Sequence, residues 1–186
     1  MTEVPILQSK RLTLRPFTIG DFKDLNEWLS LIEVRRYLNM DDGSKDAIYD
    51  WLNARLIHNE NMGISSMSWA ITPMGSYKVI GNIELWATGI GSPTAEIGFA
   101  LNPAYQHQGL MTEALHILLD YCFIHWSLPR IQAVIVVDNL ASIKLIERLG
   151  FVREGRLRAQ VQTQYYQGDS YIYSILPHEW KKLNNQ

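Results

Sequence analysis

The stretch from Gly109 to Trp126 leaves this chain few folds. Glu113, His116 and Asp120 form one narrow polar stripe along it, and almost every other side chain is apolar. A helix of that character lies largely buried against a sheet. The next regular segment, Ile131 to Val137, is apolar nearly throughout, as expected of a strand covered on both faces. Asp138 and Asn139 can cap a further helix whose wet side carries Lys144, Glu147 and Arg148, and Gly150 suits the position just past its end. Upstream, Ala95 to Leu101 reads as a strand stopped by Asn102-Pro103. Strand, helix, strand, helix is a crossover unit with a right-handed connection, and it points to a mixed α/β fold.

The flanks agree with that class. Leu12 and Leu14 alternate with polar neighbours in Arg11 to Phe17, a half-buried strand that Pro16 ends. Thr18 and Asp21 start a helix whose one face carries Phe22, Leu25, Trp28 and Leu29. Ser44 can cap a second helix, striped by Ile48, Trp51, Leu52 and Leu56. Ser68 to Ile71 and Lys78 to Trp86 read as strands, followed by a loop over Thr88 to Pro93. Phe151 to Leu157 and Ser170 to Leu176 close the chain around a turn at Tyr165 to Asp169.

Composition narrows the function classes. The 186 residues include 47% hydrophobic and 19% charged residues, ordinary values for a globular chain, and no linker divides them. A formal charge of −2 gives no bulk attraction to nucleic acid, so a nucleic-acid partner is not expected. The lone cysteine, Cys122, cannot close an intrachain disulfide and sits in an apolar helix, where it reads as core. His116 and Asp120 share a helix face without a third ligand, so no metal is expected. The opening residues lack a basic start with an apolar run behind it. No apolar run approaches the ~18 residues of a membrane span. The expected location is the cytoplasm, with no membrane partner.

Chemistry concentrates where a strand meets the long helix. The polar loop Gln106-His107-Gln108 runs through Gly109 into that helix. First-turn amides of a helix have no internal partners, and with the dipole they form a phosphate site. Gly109 lets backbone approach an anion closely.

These residues also carry a likeness. Gln106-x-x-Gly109, followed by Thr112-Glu113-Ala114, resembles the acyl-CoA-binding motif Gln/Arg-x-x-Gly-x-Gly/Ala of the GCN5-related N-acetyltransferases (GNAT). Asn139-Leu140-Ala141-Ser142, then Glu147-Arg148-Leu149-Gly150-Phe151 and Glu154-Gly155, resembles the family's Asn-x-x-Ser-x-x-x-x-Glu-x-x-Gly-Phe segment. Arg11-Leu12-Thr13-Leu14-Arg15-Pro16-Phe17 resembles the opening strand of the subgroup that acetylates ribosomal-protein N-termini. Met111 stands at the motif's last small position. Ile146 stands where many relatives carry a tyrosine acid, which excludes that mechanism here.

The resemblance, from about Arg11 to Leu176, implies a GNAT fold in a single acyl-CoA N-acyltransferase domain over residues 1–186. Its mostly antiparallel twisted sheet of about seven strands has a splayed parallel pair, and about four helices flank it. It implies acetyl-CoA as cosubstrate, with the pyrophosphate on the amides of Gln106, His107, Gln108, Gly109, Leu110 and Met111. The pantetheine arm would lie along Phe99, Ala100 and Leu101, with Asn139 touching it. Glu96 would be the base, through water, and Ser142 the proton donor to the leaving thiolate. The implied activity is acetyl transfer to a primary amine by direct attack in a ternary complex. The subgroup points to a protein or peptide N-terminus, and polyamines, aminoglycosides and amino acids stay open as acceptors. The alternatives are a non-catalytic acyl-CoA sensor and an interaction module of the same fold. One or two of Trp28, Trp51 and Trp69 are candidates to wall the acceptor cleft, and both monomer and homodimer stay open.

Overall fold

The computed structural model describes residues 4–38, 40, 42–60, 66–89, 92–163 and 166–184. Ile90 and Gly91 of the expected loop, and Tyr165 of the expected turn, lie outside the described residues. Among the described residues, eight strands form one sheet: β1 (Leu7–Gln8), β2 (Leu12–Arg15), β3 (Ser66–Pro73), β4 (Gly81–Ala87), β5 (Ala95–Leu101), β6 (Ile131–Val136), β7 (Val152–Gln162) and β8 (Gln167–Ile175). Their order is β1-β2-β3-β4-β5-β6-β8-β7, antiparallel at every step except β5–β6. The helices are α1 (Phe22–Leu29), α2 (Ile32–Arg35), α3 (Lys45–Glu60), α4 (Leu110–Ile124), α5 (Leu140–Arg148) and α6 (Pro177–Asn184).

The class and the parallel pair are those expected, with one strand and two helices more. β1 is two residues, and α2 is a single turn, too short to show any period. α6 is a polar segment held by one buried anchor, Trp180, whose indole N–H donates to Asp120 at 2.7 Å. β7 runs on to Gln162, past the expected end at Leu157. Its residues are mostly exposed and two irregularities break its register, so no alternation survives to be read.

Two cores lie on opposite faces of the sheet. Trp69 and Ile71 pack with α4, through Leu115, Leu118 and Cys122, while Ala70 between them packs with Leu25, Trp28, Ile48 and Leu52 of α1 and α3. That alternation is the period of a strand covered on both sides. Burial pushes the Cys122 thiol far up, consistent with packing rather than nucleophilic chemistry. Among the described residues, no helix is long and apolar enough to cross a membrane.

The parallel pair positions the site. β5 and β6 are in register only at Ala95/Ile131 and Glu96/Gln132. Beyond that they part, although β5 stays paired with β4 as far as Leu101, and β6 with β8 as far as Val136.

At the closed end, Arg130 grips Glu154 with two bonds of 2.7 and 2.6 Å, and the Ser174 hydroxyl adds one of 2.7 Å. The Arg130 bond, then the Ser174 bond, lower the Glu154 carboxyl from its ordinary 4.5 to about 2. A depressed acid stabilises the fold above its unfolded pKa and loses that contribution as pH falls through the folded value. The pair is partly exposed, so we expect Glu154→Gln to cost about 1 kcal/mol or less at neutral pH. Melting curves should show that difference intact at neutral pH and vanishing as the pH is lowered from 4.5 towards about 2.

Candidate active site

The splay opens two cavities that meet. One, of about 790 Å³, lies between the end of β5, the loop into α4, and the first turns of α5. The other, of about 470 Å³, lies between β4, β5, β6 and α3. Tyr37, Leu38, Phe99, Asn139 and Ser142 line both.

The loop is shaped by local hydrogen bonds. The Asn102 side chain accepts the Ala104 N–H at 3.0 Å, and the Gln106 side-chain Nε2 donates to the Leu101 carbonyl at 3.1 Å. His107 and Gly109 both take left-handed backbone, with φ of 60° and 71°. Arg11 braces the turn from outside. It donates to the Gln108 carbonyl at 3.0 Å and, through Nε, to Glu113 at 2.5 Å. Burial pushes the Glu113 carboxyl up, but bonds from Ser9 and Arg11 outweigh it and leave the group below the usual range. The first internal bond of α4 runs from the Glu113 N–H to the Gly109 carbonyl at 3.1 Å. The amides of Leu110, Met111 and Thr112 therefore lack intrahelical acceptors, and these residues line the larger cavity.

Phe99, Ala100, Leu101, Gln106, His107, Gly109, Leu110, Met111 and Asn139 all reach this cavity, whereas Gln108 does not line it. The Met111 side chain, in the first turn of α4, packs mostly into the core and leaves only its edge on the cavity. Lys144 and Arg148, read from sequence only as a wet face, also line the cavity. They add two positive charges to a wall that also carries Glu33.

Asn139 caps α5, its Oδ1 accepting the Ser142 N–H at 3.2 Å. The far end of α5 is tied to the sheet by Tyr173, whose hydroxyl donates to Glu147 at 3.0 Å. Burial, then that bond, raises the phenol to about 12. Ser142 is thereby held at the junction of the two cavities, while Ile146 is fully buried.

Glu96 lines the smaller cavity, where its Oε2 accepts the Gln132 side chain at 2.9 Å. Trp51 walls this cavity, whereas Trp28 and Trp69 are fully buried. Asn82, Glu84 and Trp86 were not among the expected site residues, yet all three line it. Their signal was the alternation Asn82-x-Glu84-x-Trp86 around apolar Ile83 and Leu85, which sets three polar or aromatic side chains on one strand face. Tyr37 leans across the junction, its ring edge-on to Tyr166 at 6.3 Å.

Known proteins share this architecture. A family profile described as an acetyltransferase (GNAT) domain matches residues 11–152. The Bacillus subtilis protein named as uncharacterized N-acetyltransferase YnaD is 28% identical over 174 residues, 94% of this chain and 98% of its own length. YoaA of the same organism, named likewise, is 31% identical over 174 residues, 92% of this chain and 97% of its own. A crystal structure of a GNAT-family acetyltransferase from Bacillus anthracis superposes with a TM-score of 0.81 at 26% identity, covering 94% of this chain and 99% of that one. The splayed strands, the glycine-led helix and these matches together place the chain in the GNAT acetyltransferase family.

Proposed function

We propose that this protein, as one acyl-CoA N-acyltransferase domain over residues 1–186, moves the acetyl group of acetyl-CoA to a primary amine in a ternary complex. The observation that carries the reading is the meeting of the two cavities at Phe99, Asn139 and Ser142. One cavity has helix amides without intrahelical acceptors and two cations against the single carboxylate of Glu33, as a pyrophosphate-bearing cosubstrate needs. The other has carboxylates, as an amine needs. A fold neighbour, the microcin C7 self-immunity acetyltransferase MccE, was solved with acetyl-CoA and AMP, at a TM-score of 0.78 and 20% identity.

In this reading the backbone amides of His107, Gly109, Leu110 and Met111 bind the pyrophosphate, since Gln108 does not line the cavity and the Gln106 N–H is held by the Pro103 carbonyl at 3.2 Å, and Asn139 steadies the arm along Phe99, Ala100 and Leu101. The amine arrives protonated and gives its proton, through water, to Glu96. Its freed lone pair attacks the thioester carbon, while strand amides near Phe99 polarise the carbonyl. Collapse of the tetrahedral adduct breaks the C–S bond, and the adduct nitrogen gives up its second proton, relayed by Ser142 or water, to the leaving thiolate. For the acceptor we propose a protein or peptide N-terminus. A provisionally named ribosomal-protein-serine acetyltransferase from Vibrio cholerae shares the fold at a TM-score of 0.79 and 20% identity. The B. subtilis protein YdaF, provisionally named a ribosomal N-acetyltransferase, is 32% identical over 87 residues, 47% of this chain.

Titration with acetyl-CoA, with desulfo-CoA as comparison, tests the cosubstrate. At a hundredfold excess over Kd, ligand that binds only the native state adds ~2.7 kcal/mol. For a chain of this length that raises Tm by roughly 5–10 °C. No stabilisation at millimolar ligand would overturn the reading. Stabilisation without thiol release across a panel of amines and N-terminal peptides would instead identify an acyl-CoA sensor.

A further inference from the structure

The floor of the smaller cavity is built from residues that the transfer chemistry leaves unused. Asn82, Glu84 and Trp86 share one face of β4, and the register sets Gly98 opposite Glu84 and Glu96 opposite Trp86. The two carboxylates are thus diagonal neighbours, about 7–8 Å apart at Cα. The Trp86 ring lies over Gly98. A β-carbon at 98 would stand 3.0 Å from Trp86 Cη2 and 3.1 Å from Cζ3. An indole therefore occupies the space beside both carboxylates, and it fits there because Gly98 has no side chain.

Each carboxylate keeps one oxygen without a donor among the described residues. Glu84 Oε1 takes Arg55 Nε at 2.7 Å, Arg55 Nη2 at 2.7 Å and Asn82 Nδ2 at 3.0 Å, and Oε2 takes none. Glu96 uses only Oε2, on Gln132. Arg55 is pinned, with its guanidinium 3.4 Å over Trp51 and its Nη1 donating to the Trp51 carbonyl at 2.8 Å. Arg55 cancels Glu84, so Glu96 leaves the cavity lining with a net negative charge. An independent mark lies in the same wall. Asn82 is 4% exposed, and its Oδ1 has no hydrogen-bond donor. A cavity offering unpaired acceptors, an aromatic face and negative charge calls for a cation that carries N–H donors.

We propose that Glu84, Trp86 and Glu96 form a cation box that takes the acceptor as its protonated primary ammonium, before the proton leaves. The proposal rests on the transfer reading for the identity of that cation. Trp86 holds the charge over its ring, Glu84 Oε2 accepts one N–H directly, and Glu96 Oε1 accepts another through a water. The ammonium then passes one proton through water to Glu96, and the neutral amine is left on the indole, facing Phe99. The cation is the terminus of a free alkylamine or of a peptide.

The test needs no turnover. The protein is loaded with CoA and titrated calorimetrically with n-butylammonium and with n-butanol, its uncharged counterpart. The ammonium is expected to bind at least about tenfold more tightly, with Trp86→Ala and Glu84→Gln each losing about tenfold. Gly98→Ala, which displaces the ring, should weaken binding in the same direction. A melting shift with CoA equal to that of the natural protein certifies that each variant is folded. Equal binding of n-butanol, or Trp86→Ala and Glu84→Gln binding as the natural protein does, would overturn the box. Preference for the ammonium without thiol release from acetyl-CoA would sink the transferase reading and leave the box standing. Thiol release with no such preference would do the reverse. Rates with n-butylamine against a peptide with a free N-terminal serine tell the two sources apart.

Discussion

Glu96→Gln is expected to lower kcat/KM for an amine acceptor roughly 10²–10⁴-fold at neutral pH, the usual contribution of a positioned general base. Glutamine keeps the shape of the side chain and can still meet Gln132, which now pairs with Glu96 at 2.9 Å. The change therefore removes the proton acceptor and one negative charge from the cavity and leaves its shape. The deficit should shrink as pH rises towards the pKa of the amine itself, because free amine then reaches the cavity without help. Binding of acetyl-CoA should not change, since Glu96 does not line the larger cavity. A variant with an unaltered pH–rate profile would remove Glu96 from the mechanism.

The second large effect concerns the wall that carries α1 and α3. Arg15, at the end of β2, meets Asp21 through Nη1 at 2.8 Å and Nη2 at 2.7 Å. Asp21 also accepts the Thr18 N–H at 2.8 Å and is 4% exposed. Arg15 donates further to the carbonyls of Pro16 and Tyr77, both at 3.0 Å. This pair ties the sheet to the start of α1, and so to the layer that presents Trp51 and Arg55 to the cavity. Asp21→Ala leaves a largely buried guanidinium without its carboxylate, which costs about 3–5 kcal/mol. The melting temperature should fall by roughly 6–20 °C. Replacing both partners, as Arg15→Met with Asp21→Leu, should cost much less, because no uncompensated charge remains. A loss under about 1 kcal/mol for Asp21→Ala would show that the pair does not anchor the layer.

What could be read in advance follows from how local each signal is. β5 and α4 lie where patterning puts them, because a strand stop at Asn102-Pro103 and a greasy helix after Gly109 are written in adjacent residues. The cap at Asn139 and the left-handed Gly150 are of the same kind. β1, α2 and α6 were not legible. Each is short or polar, and each is held by remote partners, as α6 is by Asp120. The site divides in the same way. The loop residues and the α5 cap belong to continuous motifs, so they could be named from the chain. Asn82, Glu84 and Trp86 are three alternate residues on a strand, a pattern shared by any half-buried strand, and only their pairing with Glu96 and Gly98 gives it meaning.

The sequence by itself determined the α/β class, the glycine-led helix start at Gly109 and the capped helix at Asn139, since each depends on hydrogen bonds and periodicity within a few residues. Tertiary structure alone decided that β5 and β6 part after Glu96 and Gln132, that Met111 turns into the core, and that Arg55 meets Glu84 above Trp51. Those outcomes depend on packing between segments far apart in the chain, where the contact energy is shared by residues that no local pattern connects.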